Sequence, residues 1–142
     1  MMKYPAKLIR GISNKNFIDA EGRLTSQAFQ FDPSSDHPEL DEASINWYDN
    51  EEAMQIAWEQ KKNKDDDLPQ FKGGVAILSR ASVDYVFSQP YMIGMLQYER
   101  RPSVGNPYHG NLLRKHDLAP SMRNFIASTI AMVCVDKIIP RD

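Results

Sequence analysis

Residues 6–12 (Ala6-Lys7-Leu8-Ile9-Arg10-Gly11-Ile12) predict a first strand, with Leu8 and Ile12 sharing one face and Ile9 on the other. A regular strand places Arg10 on the Leu8 face, where a buried guanidinium needs partners. Residues 13–16 are turn material, Phe17-Ile18 gives a short apolar anchor, and residues 19–22 form a second turn with Gly22 as its left-handed residue. Residues 24–31 set Leu24, Ser26, Ala28 and Gln30 against Thr25, Gln27, Phe29 and Phe31, and predict a second strand. Prolines, serines and acids make residues 32–43 an exposed loop. Residues 44–48 predict a short strand. Asp49 then reads as the cap of a helix that runs to about Lys61, with Glu52 completing a capping box and Met54, Ala57, Trp58 and Lys61 forming a narrow stripe.

Residues 73–78 read as a buried central strand with apolar side chains on both faces, and residues 83–87 as a short helix. Residues 92–98 predict another strand. From Pro120 to about Val135, Met122, Phe125, Ile126, Thr129, Ile130 and Val133 recur at helical spacing, and Ala127, Ala131 and Cys134 widen the stripe. This alternation of elements implies an α+β fold in a single domain spanning residues 1–142. It comprises a mixed sheet of four or five short strands, packed by the C-terminal amphipathic helix and a shorter middle helix.

Composition narrows the function classes. The chain has 142 residues, 42% of them hydrophobic and 25% charged, enough to build a core without staples. A net charge of −2 supplies no overall basic field for nucleic acid, although Arg100-Arg101 is a local basic pair. The one cysteine, Cys134, lies on the apolar helix face and reads as a small buried hydrophobe. The N-terminal residues lack a signal-peptide core and no stretch has the length of a membrane span, so the expectation is a soluble, cytoplasmic protein without a membrane partner.

Candidate chemistry gathers in two places. Residues 105–113 (Gly105-Asn106-Pro107-Tyr108-His109-Gly110-Asn111-Leu112-Leu113) read as a specified turn, in which His109 is either a general base or a side chain that pins the loop through backbone carbonyls. Asn106, Tyr108 and Asn111 would share its role. Arg10 with Thr25, Ser26 and Gln27 either frames an anion or nucleotide pocket or satisfies backbone carbonyls or Asp19 and Glu21. Arg100 and Arg101, beside Tyr98 and Tyr108, either bind phosphates and stack on bases or form a solvated loop. Trp47 and Trp58 read as core anchors. The run Asp65-Asp66-Asp67 lacks the spacing of a calcium loop and no zinc-ligand spacing exists among the three histidines, so no metal and no cofactor is expected.

Three segments in order carry a resemblance. They are Arg10 followed by Gly22-Arg23-Leu24-Thr25-Ser26-Gln27-Ala28-Phe29, then Ser44-Ile45-Asn46-Trp47, then Asn106-Pro107-Tyr108-His109 ahead of an Ala-rich helix. The order resembles a loose family of small uncharacterised bacterial proteins with an arginine strand, a G-x-x-[ST]-[ST]-x-A-F segment, an LS[VI]-x-W strand and a P-x-H loop. Ala43 stands here where that pattern has leucine. The resemblance implies a bacterial accessory, defence or toxin-type setting and no particular reaction. With no catalytic constellation in the sequence and an unremarkable charge, the sequence expectation is a non-catalytic interaction protein that works with a protein partner. The alternative is a small enzyme or nucleotide- or anion-binding domain, with His109, Arg10 and Ser26 in one polar pocket and Thr25, Gln27, Asn106, Tyr108 and Asn111 around it.

Overall fold

Leu8 and Ile12 face one side of strand β1 (Lys7–Ile12) and Ile9 the other, and the rest of the molecule is built on that division. The computed structural model describes residues 4–63 and 67–141. Lys64, Asp65 and Asp66 of the charged connector lie outside the described residues. The remaining strands are β2 (Asp32–Pro33), β3 (Leu40–Trp47), β4 (Gly74–Ser79), β5 (Leu96–Arg100), β6 (His109–Lys115) and β7 (Val135–Pro140). All seven belong to one antiparallel sheet in the order β5-β6-β3-β1-β4-β7, with β2 beside β3. The α+β class is as the pattern implied, and among the described residues the sheet has seven strands in place of four or five, all paired antiparallel.

One face of the sheet carries the main core, including Leu8, Ile12, Ile45, Trp47, Leu78, Leu112, Ile126 and Ile130. A short 3-10 turn (Ser26–Phe29), helix α2 (Arg80–Phe87) and helix α3 (Pro120–Thr129) cover it. The second face is smaller: Ile9, Val75 and Ile77 pack under Ala53 and Ala57 of helix α1 (Glu51–Glu59). Local signals set the helix starts. Ser79 caps α2 by accepting from Ser82 N–H, and Pro120 opens α3 in its first turn. The α1 cap is Asn50, which accepts from Ala53 N–H, one residue later than expected. Asp49 is held instead by Arg100 through two bonds of 3.0 Å.

Several expectations are corrected by pairing that only the fold supplies. Residues 24–31 form no strand: Ser26–Phe29 winds into the 3-10 turn and buries Ala28 and Phe29. Their mixed pattern suited neither period; Leu24 makes an isolated antiparallel bridge with Ile18, and the chain beyond it coils inward. The expected loop 32–43 contains β2 and the first residues of β3, because Asp32 and Pro33 pair with Glu42 and Asp41. The strand expected at 92–98 begins only at Leu96, after a turn that buries Met92. The 105–113 turn stops at Tyr108, and from His109 the chain is strand β6, paired along its whole length with β3.

The C-terminal helix is shorter than its periodicity suggested. α3 ends at Thr129, a π turn (Ile130–Cys134) follows, and Val135 enters β7. Ile138 and Ile139 join the ladder with β4, whose outer edge would otherwise be unpaired. Only one side of the expected stripe is buried. Ile126, Ala127, Ile130, Ala131 and Cys134 are buried, while Phe125 is 47% exposed and Val133 is exposed as well. Core packing on this part of the helix therefore comes from Ile126, not from Phe125.

Candidate functional site

Alternation along the strands decides where each candidate side chain goes. Arg10 lies between Ile9, in the α1 cluster, and Gly11, whose missing Cβ leaves room for the Phe71 ring on that same second face; Arg10 therefore faces the main core. Pairing of β1 with β3 stops at Ile9 opposite Asn46. Had it continued, Gly11 would have bonded Ser44. Instead Arg10 Nη1 donates to Ser44 O at 2.7 Å, and Nε donates to Ala28 O at 2.9 Å. The guanidinium also lies 6.0 Å from the Phe29 ring. Arg10 thus fills the split between β1 and β2, standing in for the missing strand neighbour. Burial lowers its pKa to about 10, with the charge of Asp32 opposing the shift. Asp19 and Glu21 pair with Arg23 rather than Arg10.

His109 faces the other way. It stands opposite Asn46, whose amide donates to Ala53 O of α1 at 3.1 Å, and paired residues share a face. Its Nδ1 lies 2.8 Å from Arg101 O. Asn106 donates to Asn46 Oδ1 at 2.8 Å and accepts from Tyr108 N–H, and Asn50 reaches the Tyr108 hydroxyl. Asn106, Tyr108 and His109 therefore form one bracket that fastens the 103–108 turn to β3 and α1. Asn111 is buried on the same face. Ser26 belongs to the 3-10 turn on the main face, Thr25 donates to Phe17 O there, and Gln27 is exposed. The structure consequently brings His109, Asn106, Tyr108 and Asn111 together and leaves Arg10, Thr25, Ser26 and Gln27 on the opposite side of the sheet. His109, Arg10 and Ser26 share no pocket.

Gly110 explains itself by proximity. A Cβ there would overlap the Trp47 ring and Glu99 O, and the Trp47 indole N–H donates to Glu99 O at 3.2 Å. Trp47 is fully buried, and Tyr4 stacks on it at 4.4 Å between ring centres. Trp58 is partly buried and carries the Arg141 guanidinium 4.0 Å from its ring. Arg100 lies 5.5 Å from the Trp47 ring while it holds Asp49, and Arg101 pairs with Asp36 and Glu99. Both arginines of the basic pair are thus occupied by carboxylates.

Sequence reasoning passed over a charged group inside the main face. Asp41 and Arg114 stand directly opposite each other on β3 and β6 and meet at 3.1 Å, with side chains 4% and 6% exposed. His116 Nδ1 reaches the other Asp41 oxygen at 2.7 Å, and Arg114 lies 4.9 Å from the Phe31 ring. Burial lowers the Arg114 pKa, Asp41 opposes this, and Arg123 adds to the depression. The signal was available as a charged residue at an inward position of each strand, but the assignment of 32–43 to a loop hid it. Among the described residues no group of three His, Cys, Asp or Glu side chains is placed to hold a metal ion. Burial pushes the Cys134 thiol up to about 12, so it carries no nucleophilic thiolate near neutral pH.

One opening lies at the β7 margin. A cleft of about 690 Å³ runs between the 19–26 turn, the π turn and the first residues of β7, and is lined by Leu24, Ala131, Met132, Val135 and Ile138 among others. A second opening of about 690 Å³ lies between the end of α1 and the 103–106 turn, with His109 in its wall. Compared with known proteins, the chain matches no family model, no curated protein and no solved structure.

Proposed function

We propose that this chain is a non-catalytic docking module that takes an extended segment of a partner protein along the free edge of β7. The observation that carries the reading is the coincidence of that edge with the cleft beside it. The N–H of Arg141 donates to Gly73 O at 3.4 Å, which makes these two a hydrogen-bonded pair of the β4–β7 ladder. Alternation from that pair turns the N–H and C=O of Ile138 away from β4, toward the open side. Pro140 occupies another outward position, where its missing N–H costs the ladder nothing.

A strand laid beside β7 can bond Ile138 and lower an apolar side chain between Leu24, Ala131 and Met132. Met132 at the rim is 82% exposed, and Val133 and Phe125 are exposed nearby on the same helical layer. The candidate polar residues support the same reading, since Arg10, Asn106 and Tyr108 are engaged in bonds that hold the scaffold. The helices of the described residues include none long and apolar enough to cross a membrane.

A photo-cross-linking residue at Met132, introduced in cells that make the protein, tests the proposal. The expected result is a protein adduct that disappears with Ile138→Pro, survives Ile138→Ala, and is absent when the probe replaces Glu42 on the second face. Absence of any adduct from position 132, or an adduct indifferent to Ile138→Pro, would reject it.

A further inference from the structure

Two guanidinium Nε–H groups buried on the main face have no acceptor, those of Arg114 and Arg123. Both side chains line one small cleft of about 190 Å³, together with Phe29, Phe31, Gln30 and Asn124. Arg114 is already committed on its other nitrogens, Nη2 to Asp41 at 3.1 Å and Nη1 to Lys115 O at 3.4 Å. Asp41 divides its two oxygens between Arg114 and His116. Arg123 makes no side-chain hydrogen bond or ion pair among the described residues.

The cluster therefore holds two guanidinium charges against one carboxylate, an excess of positive charge at a buried place. Buried donors without acceptors call for an explanation, and a buried charge calls for a counter-charge. The N–H groups of an arginine are donors only, so their complement is an acceptor, and the excess charge makes that acceptor an anion. The cleft is too small for a nucleotide but has room for one compact group, with the side-chain amides of Gln30 and Asn124 at its wall as further donors.

We propose that this cleft binds a compact oxyanion, a phosphate or carboxylate group, which accepts from Arg114 Nε–H and from the guanidinium of Arg123. The site is separate from the β7 margin and does not depend on the docking reading. Arg114 serves two roles in it, as the partner of Asp41 and as one wall of the anion site. Arg123 serves only the second, which makes it the residue to change.

The test follows the arginine Nε–H resonances of the full chain by NMR at low ionic strength, titrated with inorganic phosphate, with acetate, and with chloride as control. Saturable shifts of the Arg114 and Arg123 signals with phosphate or acetate, absent with chloride, are expected. Arg123→Gln should weaken that binding at least tenfold while the spectrum of the β-sheet stays native, and Arg123→Lys should restore part of it. A response to phosphate alone assigns a phosphoryl ligand, and a response to acetate as well assigns a carboxylate-tolerant site. No saturable shift in the unaltered chain, or equal affinity in Arg123→Gln, would overturn the proposal.

Discussion

On the main face the buried polar residues are charged, Asp41 against Arg114, whereas on the second face the buried bracket is neutral, Asn46 bonded to Ala53 and Asn106. Each network closes one end of β3, and both follow from side chains that alternation turns inward. The difference lies in what happens when one member is removed. A neutral amide leaves behind unsatisfied donors and acceptors, while a missing carboxylate leaves an uncompensated charge, which is far costlier. The main face is thus the more fragile of the two at a single position, although it holds the larger apolar core.

Asp41→Ala sharpens this contrast most. It strands Arg114 beside Arg123 and should cost about 3–5 kcal/mol of stability in urea unfolding. A loss below about 1 kcal/mol would mean that the pair contributes no more than a solvent-exposed one.

Next comes the apolar part of the main face. Ile130→Ala should cost about 2–5 kcal/mol, as for other emptied core sites. Phe125→Ala, on the exposed side of α3, should stay within about 0.5 kcal/mol. Equal losses for the two would place the buried stripe back where the periodicity alone put it.

The second face should respond less. Asn46→Ala removes the acceptor of Asn106 and the donor to Ala53 O, and should cost about 1–3 kcal/mol. His109→Ala gives up one bond to a backbone carbonyl and should cost about 0.5–1.5 kcal/mol. If His109→Ala leaves the melting temperature unchanged, its ring does not fasten the turn.

A further test, silent near neutral pH, concerns Cys134. Its thiol should resist a thiol-specific reagent in the native protein at pH 8 and react once the chain is unfolded. Its folded pKa is raised, to about 12 from 9.0, so the protonated thiol favours the folded state. That contribution is fully present below pH 9 and is lost as pH rises toward 12. Cys134→Ala should flatten stability over that interval, and an unaltered pH slope would mean that burial leaves the thiol unperturbed.

Particular residues show how far the sequence reached. The short-range signals around β1, β4 and the start of α3 were legible because alternation, an apolar run and a first-turn proline act within a few residues, whereas helix α2, expected over 83–87, starts at Arg80 under a Ser79 cap that the pattern reading passed over. Burial of Trp47 and Cys134 was legible for the same reason. The roles of Arg10 and His109 as bonds to backbone carbonyls were legible as alternatives, but their opposite faces were not. That required the register of β1 and β6 on β3, which depends on residues more than thirty positions apart.

By itself the sequence determined the α+β class, the strands β1 and β4, and the start of α3 at Pro120. These rest on local conformational preference and on hydrophobic period. Tertiary structure alone decided that residues 24–31 coil, that 135–140 become a strand, and that Asp41 meets Arg114 inside the core. In each case the deciding energy comes from a distant partner. The free edge of β4 extends the chain end, the burial of Ala28 and Phe29 against the main core winds up 26–29, and the β3–β6 register sets two charges face to face. No local pattern encodes those partners, because the pairing exists only once the sheet has assembled.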